Sequence, residues 1–130
     1  MPRKKAGKTL RPAGGPDAHQ LAVDAARLAG ESHCTDVLVL DLRDVSPVTD
    51  YFVIATGTSG RQLRSVAEEI VAHGKKVGQK VWHTAGQDGG QWIVLDFVDV
   101  VVHLFDAEHR SFYDLELIWG EAPRVDWDNE

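Results

Sequence analysis

The chain has 130 residues, of which 43% are hydrophobic and 26% are charged, with a net charge of −6 and one cysteine, Cys34. This length suits one domain around one core and excludes two ordinary domains. A single cysteine excludes an internal disulfide and a C-x-x-C redox or zinc motif, and no segment approaches the roughly 18 consecutive apolar residues of a membrane span. These features predict a soluble protein of the cytoplasm.

Charge is divided unevenly along the chain. Residues 1–15 carry five basic side chains and no acid, whereas the remainder carries nine basic and twenty acidic side chains, a net charge of −11. A basic arm favours a polyanionic partner and an acidic body favours a cationic one, although a solubilising role explains the arm equally well. Three Pro and three Gly residues, without apolar periodicity, predict a disordered basic tail over 1–16.

The first half of the body is predicted to contain two helices and two strands. Apolar residues at helical spacing indicate the helices, and runs of β-branched and aromatic residues between turn-forming segments indicate the strands. In chain order we predict a helix from the N-cap Asp17 to Gly30, strands at 36–42 and 51–57, and a helix capped by Ser59 that ends near Gly74.

The second half is predicted to contain three strands and a final helix. In chain order these are a weak strand at 80–85, a turn at 86–90, two strong strands at 91–97 and 99–105 in a tight hairpin, and a helix from about Asp106 to Gly120. The element order predicts an α/β (α+β) domain over 17–120, with a mixed sheet of about five strands flanked by helices. Residues 121–130 are predicted to form an acidic C-terminal tail.

Polar residues interrupt the most apolar segment, "WIVLDFVDVVVHLF" at 92–105. Because side chains alternate along a strand, Trp92 and Asp96 share one face of the first strand, and Asp99 and His103 share one face of the second. A tryptophan beside a carboxylate on a partly exposed sheet is typical of a protein-binding surface. The alternative is a sheet covered on both faces, in which the aspartates only end strands.

The segment "TGTSGRQ" at 56–62 lies between a predicted strand and a predicted helix. Glycines there let backbone N–H groups face an anion at the helix N-terminus, so a phosphate site is one interpretation. The segment lacks the G-K-[ST] of a P-loop and the spacing of a dinucleotide fold. A helix cap at Ser59 explains the same residues without a ligand, and we favour it.

The polar residues suggest two kinds of metal chemistry. Asp96, Asp99 and His103, with His83 or His109, are candidate ligands, but no H-x-x-E-H or H-E-x-x-H motif fixes them. Carboxylates that share a metal on one strand usually have D-x-D spacing, whereas Asp96 and Asp99 are three residues apart. The spacing therefore argues weakly against metal-dependent chemistry.

The chain from about Ala18 to Trp119 resembles the Iojap/RsfS family, the ribosomal silencing factors. The segments that carry the resemblance are "VTDYFVIATGTSGRQLRSVAEEI" at 48–70, "WIVLDFVDVVVHLF" at 92–105 and "HRSFYDLELIW" at 109–119. The chain departs from the family pattern at two positions. Ala85 precedes Gly86 where the family usually has glutamate, and Val98 precedes Asp99 where the family usually has glycine.

The resemblance implies a non-enzymatic role with no cofactor, no metal and no catalytic residue. Family members bind the large ribosomal subunit through its protein number fourteen, block subunit joining, and lower translation when nutrients are short. Others aid assembly of the large subunit, including in organelles, and members are often homodimers when free. The implied fold is similar to nucleotidyltransferases without the catalytic acids.

Carried over position by position, the resemblance implies a protein-binding surface on the strand pair and the last helix. It comprises Trp92, Asp96, Asp99, His103, Arg110, Tyr113 and Glu116, with Trp119 expected in the core. We expect the aromatic residues to supply buried area and the acids to pair with lysines or arginines of the ribosomal protein. The basic arm would reach ribosomal RNA, and no membrane contact is expected.

Two other function classes stay open. One is a small metal-dependent nucleotidyl or phosphoryl transferase that uses the 56–62 loop with Asp41, Asp96 and Asp99, which requires a divalent cation held by at least two carboxylates. The other is an interaction module for a different basic protein, because fold and charge alone do not name a partner.

Overall fold

The computed structural model describes residues 18–113 and 122–129. The elements in chain order are α1 (Ala18–Glu31), β1 (Thr35–Asp41), β2 (Tyr51–Gly57), α2 (Gly60–Lys76), β3 (His83–Ala85), β4 (Trp92–Asp96), β5 (Val100–Asp106), α3 (Ala107–Tyr113) and a short 3-10 helix (Trp127–Asn129). Within these ranges, no helix is long and apolar enough to cross a membrane.

The five strands form one mixed sheet in the order β1-β2-β5-β4-β3. Strands β2 and β5 are parallel, and the other three neighbouring pairs are antiparallel. The predicted mixed sheet of about five strands is therefore confirmed, and β4 and β5 form the predicted hairpin through a turn at residues 97–99.

One face of the sheet packs against α1 and α2 and forms the main core. Alternate strand residues point into it, because side chains of a strand alternate between the two faces. The buried core side chains include Leu21, Ala25, Val53, Leu63, Ile70, Leu95 and Leu104. We call the opposite surface of the sheet the second face. It carries a smaller buried cluster of Leu40, Leu42, Ile54, Phe105 and Ala122.

The ends of the elements differ from the prediction by a few residues. Helix α1 passes the predicted stop at Gly30 and ends at Glu31, and His33, at φ 73, adopts the left-handed conformation that a glycine usually takes after a helix. Helix α2 extends beyond Gly74 to Lys76. Strand β3 has three residues instead of six. The predicted N-cap Asp17 and the predicted helix end at Gly120 lie outside the described residues.

Residues 122–127, which the sequence assigns to the acidic C-terminal tail, run along the outer edge of β1. The N–H of Val125 donates to the carbonyl of Val39, and the N–H of Asp41 donates to the carbonyl of Pro123, each at 2.8 Å. The indole N–H of Trp127 donates to the carbonyl of Val37 at 3.1 Å. This segment covers the backbone edge that β1 would otherwise leave unpaired.

Candidate functional site

Three of the predicted site residues lie on the second face of the sheet. The strand register aligns the side chains of this face in rows that cross β4, β5 and β2. The rows are Trp92–Phe105–Thr56, Val94–His103–Ile54 and Asp96–Val101–Phe52. Trp92, Val94 and Asp96 are half-buried, whereas the alternate residues of β4 are buried in the core. The structure thus brings Trp92, Asp96 and His103 onto one partly exposed surface.

An aromatic cluster surrounds His103. The ring of Trp92 stacks on Phe105 with centroids 5.1 Å apart, and the ring of Phe52 meets His103 edge-on at 4.6 Å. The indole Nε1–H of Trp92 donates to Nδ1 of His103 at 3.2 Å. These contacts fix the orientation of the Trp92 ring.

The contact with Trp92 also determines which nitrogen of His103 carries the proton. Indole N–H is only a donor, so Nδ1 of His103 must accept and the proton of the neutral ring lies on Nε2. Among the described residues, Nε2 is buried without a hydrogen-bond partner. Burial lowers the pKa of His103 to about 4 because it disfavours the charged ring. His103 is therefore a neutral buried support for Trp92 at neutral pH.

Asp96 combines a place on the second face with a structural role in the β4–β5 turn. Its Oδ1 accepts from the backbone N–H of Val98 at 2.7 Å. Val98 has a φ of 76°, a left-handed conformation that is strained for a β-branched residue. The turn is nevertheless tight, with the N–H of Phe97 donating to the carbonyl of Val100 at 2.8 Å. The departure from glycine at this position thus leaves the turn closed but strained.

Asp99 lies inside the protein and is only 2% exposed. Its carbonyl accepts from the backbone N–H groups of Asp50 and Tyr51 at 2.9 and 3.0 Å, which ties the start of β5 to the start of β2. The side chain of Asp50 is buried as well. Asp99 is therefore placed to hold the start of β5 against β2, and its side chain does not join the partly exposed surface that carries Trp92 and Asp96.

Arg110 lies on α3, at the end of the sheet. Asp106 caps this helix, because its Oδ1 accepts from the N–H of His109 at 2.8 Å. Burial would raise the pKa of Asp106, but the hydrogen bonds and the charge of His109 outweigh it and leave the pKa low. Arg110 is buried and its Nη1 donates to Oγ1 of Thr56 at 2.7 Å, which attaches α3 to β2. Tyr113 ends α3, and Glu116 and Trp119 lie outside the described residues.

The 56–62 loop satisfies its own polar groups. Oγ of Ser59 accepts from the N–H of Gln62 at 3.1 Å, as the predicted cap requires. Oε1 of Gln62 accepts in turn from the N–H of Thr58 at 2.7 Å, and its Nε2 donates to the carbonyl of Ser32 at 2.8 Å. These reciprocal bonds are those of a capping arrangement. They account for the sequence of this loop without an anion.

Two of the three carboxylates of the transferase alternative, Asp41 and Asp96, do not converge. Asp41 and Asp96 lie on strands separated by β2 and β5, roughly 14 Å apart at the usual strand spacing, and the register places them on opposite faces. Asp41 forms an ion pair with Arg43, in which Oδ2 of Asp41 and Nη2 of Arg43 are 2.7 Å apart. Among the described residues, no three or more His, Cys, Asp or Glu side chains form a group that could hold a metal ion.

Phe52 was not singled out by the sequence, although it contacts His103 directly. Strand parity alone places Phe52 on the same face as Ile54 and Thr56. The missing information is the strand order, because β2 pairs with β5 across almost fifty residues of sequence. A long-range parallel pairing of this kind leaves no local sequence signal.

Comparison with known proteins gives consistent matches over most of the chain. The family model described as "Ribosomal silencing factor during starvation" matches residues 15–130. The chain is 39% identical over 104 residues to "Ribosomal silencing factor RsfS" of Bacillus subtilis, which covers 80% of this chain and 88% of that protein. It is 34% identical over 134 residues to "Protein Iojap, chloroplastic" of Zea mays, which covers 95% of this chain and 58% of that protein.

Solved structures with the same fold are also similar to this chain. A crystal structure of a protein from Chromobacterium violaceum superposes with a TM-score of 0.77 at 27% identity, covering 81% of this chain and 88% of that one. A crystal structure of a protein from Bacillus halodurans superposes with a TM-score of 0.69 at 30% identity, covering 83% of this chain and 95% of that one.

Proposed function

This chain belongs to the family of ribosomal silencing factors, and from that membership we propose that it binds the large ribosomal subunit through ribosomal protein number fourteen. Bound there, it occupies the surface at which the small subunit docks and so represses translation when nutrients are limiting. The mechanism is steric occlusion and requires no chemical step. A contribution to large-subunit assembly would use the same contact.

The observation that carries the proposal is the half-buried pair of Trp92 and Asp96 on the second face. A tryptophan ring held rigidly by His103 and Phe105 loses little side-chain entropy on binding, which makes it a suitable interface anchor. Asp96 supplies a negative charge in the row that includes Val101, two rows from Trp92. Such a pair fits a partner that offers an apolar surface beside a lysine or arginine.

The buried residues of the predicted surface support Trp92 and Asp96 from beneath the second face. His103 orients Trp92, and the carbonyl of Asp99 holds the start of β5 to the start of β2. Arg110 attaches α3 to Thr56. We include Tyr113 and Glu116 in the proposed interface on the resemblance alone.

Charge supports a basic protein partner. The chain beyond residue 15 has a net charge of −11, which attracts a cationic protein and repels bare RNA. The basic arm of residues 1–15 has the opposite sign, and we assign it to ribosomal RNA near the protein contact. The free protein is proposed to be a homodimer, as is common in the family.

Sedimentation with separated ribosomal subunits tests the proposal. We expect the protein to co-migrate with the large subunit and not with the small one, and to bind purified protein number fourteen. The variants Trp92→Ala and Asp96→Asn should each weaken both interactions by at least about 10-fold, as expected for central interface residues. Asparagine keeps the oxygen that accepts from Val98, so Asp96→Asn removes the charge and preserves the turn.

Glu68→Gln is the matched control, because Glu68 is an exposed acid on α2, which packs on the other face of the sheet. It removes the same charge from the opposite side and should leave binding unchanged. Equal binding by the wild type, Trp92→Ala and Asp96→Asn would show that the second face is not the interface. Co-migration with neither subunit would overturn the proposed function itself.

A further inference from the structure

Exposed apolar side chains gather around one groove beside the proposed interface. Of the large hydrophobic residues that the described part of the chain leaves exposed, Val48, Trp82 and Val98 line this groove, with exposures of 73%, 72% and 49%. Its volume is about 560 Å³, and Phe52 and Val101 form its floor. Contiguous exposed apolar surface of this kind marks a site of interaction.

The groove is built from segments distant in sequence. Its floor is the row Asp96–Val101–Phe52 of the second face, which lies two rows from Trp92. The loop after β1 forms one wall with Val48, and the segment before β3 forms the other with Trp82. The N–H of Trp82 donates to the carbonyl of Asp96 at 2.8 Å, which fixes the backbone of this wall to β4.

Val98 supplies independent support for a role in binding. A β-branched residue at a φ of 76° is strained, and a glycine would adopt the same turn without that cost. The strained backbone holds the side chain of Val98 at the edge of the groove, half exposed to solvent. In that position the side chain contributes little to the core. Backbone strain that benefits no core contact is characteristic of functional sites.

We propose that this groove extends the interface with the ribosomal protein and receives one large apolar side chain of that partner, next to a lysine or arginine that pairs with Asp96. The inference rests on the proposed function. Asp96 is the only charged residue in the groove lining among the described residues, so the groove selects an apolar side chain with a cation beside it. It is continuous with the proposed interface, because Asp96 belongs to both.

The other candidate occupant is a second copy of this chain, and charge disfavours it in this groove, so we place the contact of the proposed homodimer elsewhere. Two copies would each bring a body of −11, whereas a cationic partner compensates the charge. The groove has room for a single anchor side chain, and an obligate homodimer, whose interface usually buries upwards of about 2,000 Å², would need surface well beyond it.

Substitution of the groove walls tests the inference. Trp82→Ser should weaken binding to purified protein number fourteen by about 10-fold or more, and Val48→Ser by several-fold, as expected for an anchor pocket and its rim. Val45→Ser is the matched control, because Val45 is an exposed valine of the same loop that does not line the groove. Binding is measured by titration calorimetry, and folding is checked by circular dichroism.

Val98→Gly should change stability and binding affinity in opposite directions, which would not be expected if Val98 had only a structural role. Relief of the left-handed valine should raise the melting temperature, while loss of the groove edge should weaken binding. A variant that is more stable and binds less tightly supports the inference. A variant that is more stable and binds equally well contradicts it.

The outcomes separate this inference from the proposed function. If the wild type binds and Trp92→Ala weakens binding, but Trp82→Ser and Val48→Ser do not, the groove is not part of the interface and the proposed function stands. If the wild type binds neither the subunit nor the protein, both fail. If the groove variants change only the monomer–dimer equilibrium in sedimentation equilibrium, the occupant is a second copy and the inference is wrong.

Discussion

The protonation of His103 links the proposed interface to the pH dependence of stability. Burial holds the pKa of His103 at about 4 in the folded protein, whereas an exposed histidine titrates near 6.5. As the pH falls below 6.5 the unfolded chain takes up a proton first, so stability decreases until the folded protein is protonated near pH 4. The neutral ring therefore stabilises the fold above pH 6.5, and that contribution is lost between pH 6.5 and 4.

This linkage predicts the behaviour of His103→Gln. The difference in free energy of unfolding between the wild type and the variant should fall by about 3 kcal/mol from pH 7 to pH 4, because only the wild type loses the contribution of the neutral ring. Urea unfolding followed by far-ultraviolet circular dichroism measures it. His83→Gln, which changes an exposed histidine of the same face, is the control. Parallel curves for wild type and His103→Gln would contradict the burial argument.

At the scale of the elements, the loop before β4 positions Trp92. Gly86 has a φ of 87°, and a Cβ at that position would lie 1.9 Å from the carbonyl oxygen of Trp92. Backbone N–H of Gly90 donates to the carbonyl of Gly86 at 3.0 Å and closes the loop. The departure from the family pattern at Ala85 leaves this arrangement unaffected, because Ala85 is exposed and pairs with Val94 within the sheet.

Gly86→Ala is therefore expected to destabilise the protein by roughly 2 kcal/mol or more, through a left-handed alanine and a clash with a backbone atom. It should also weaken binding of the large subunit, because the start of β4 must shift. Gly89→Ala is the matched control, since a Cβ there meets nothing within 4 Å. Urea denaturation of both variants measures the difference, and equal stability of the two would refute the steric argument.

The strands and loops around the candidate site show which of their features could be predicted from the sequence. Local patterns predicted β2, the cap at Ser59 and the alternation that puts Trp92 and Asp96 on one face, because each depends on residues a few positions apart. Burial of Asp99 was not predicted, because it depends on packing against the segment that enters β2, where the N–H of Asp50 donates to the carbonyl of Asp99 across almost fifty residues of sequence. The strain at Val98 was not predicted either, since a valine carries no sequence signal of a left-handed backbone.

At the scale of the whole molecule, long-range packing created the features that the sequence did not reveal. The groove exists because the loop after β1, the segment before β3 and the β4–β5 turn meet over the second face. Trp82 lies in a segment that was predicted as a weak strand, and no local sequence pattern identifies it as part of a groove. The C-terminal segment similarly gained its role only from its place beside β1.

Because the arm and the body carry opposite charges, we expect the arm to bind RNA and the body to bind protein. The two contacts should therefore differ in how strongly their affinity depends on salt. Phosphate contacts release counterions, so binding by the arm should weaken steeply with salt. Replacing Arg3, Lys4, Lys5, Lys8 and Arg11 by glutamine keeps the length of the arm and removes its charge of +5. We expect the slope of log affinity for the large subunit against log salt to become shallower by at most about 4.5, from five phosphate contacts.

Affinity for purified protein number fourteen should be little changed by the same replacement, since no RNA is present and the proposed contact lies on the second face. Fluorescence titrations at several salt concentrations measure both slopes. If the slope for the subunit is unchanged, the arm does not contact RNA. If the arm variant loses as much affinity for the protein as for the subunit, the charge of the arm contributes to the protein contact. The assignment of the arm and the body to separate partners is then wrong.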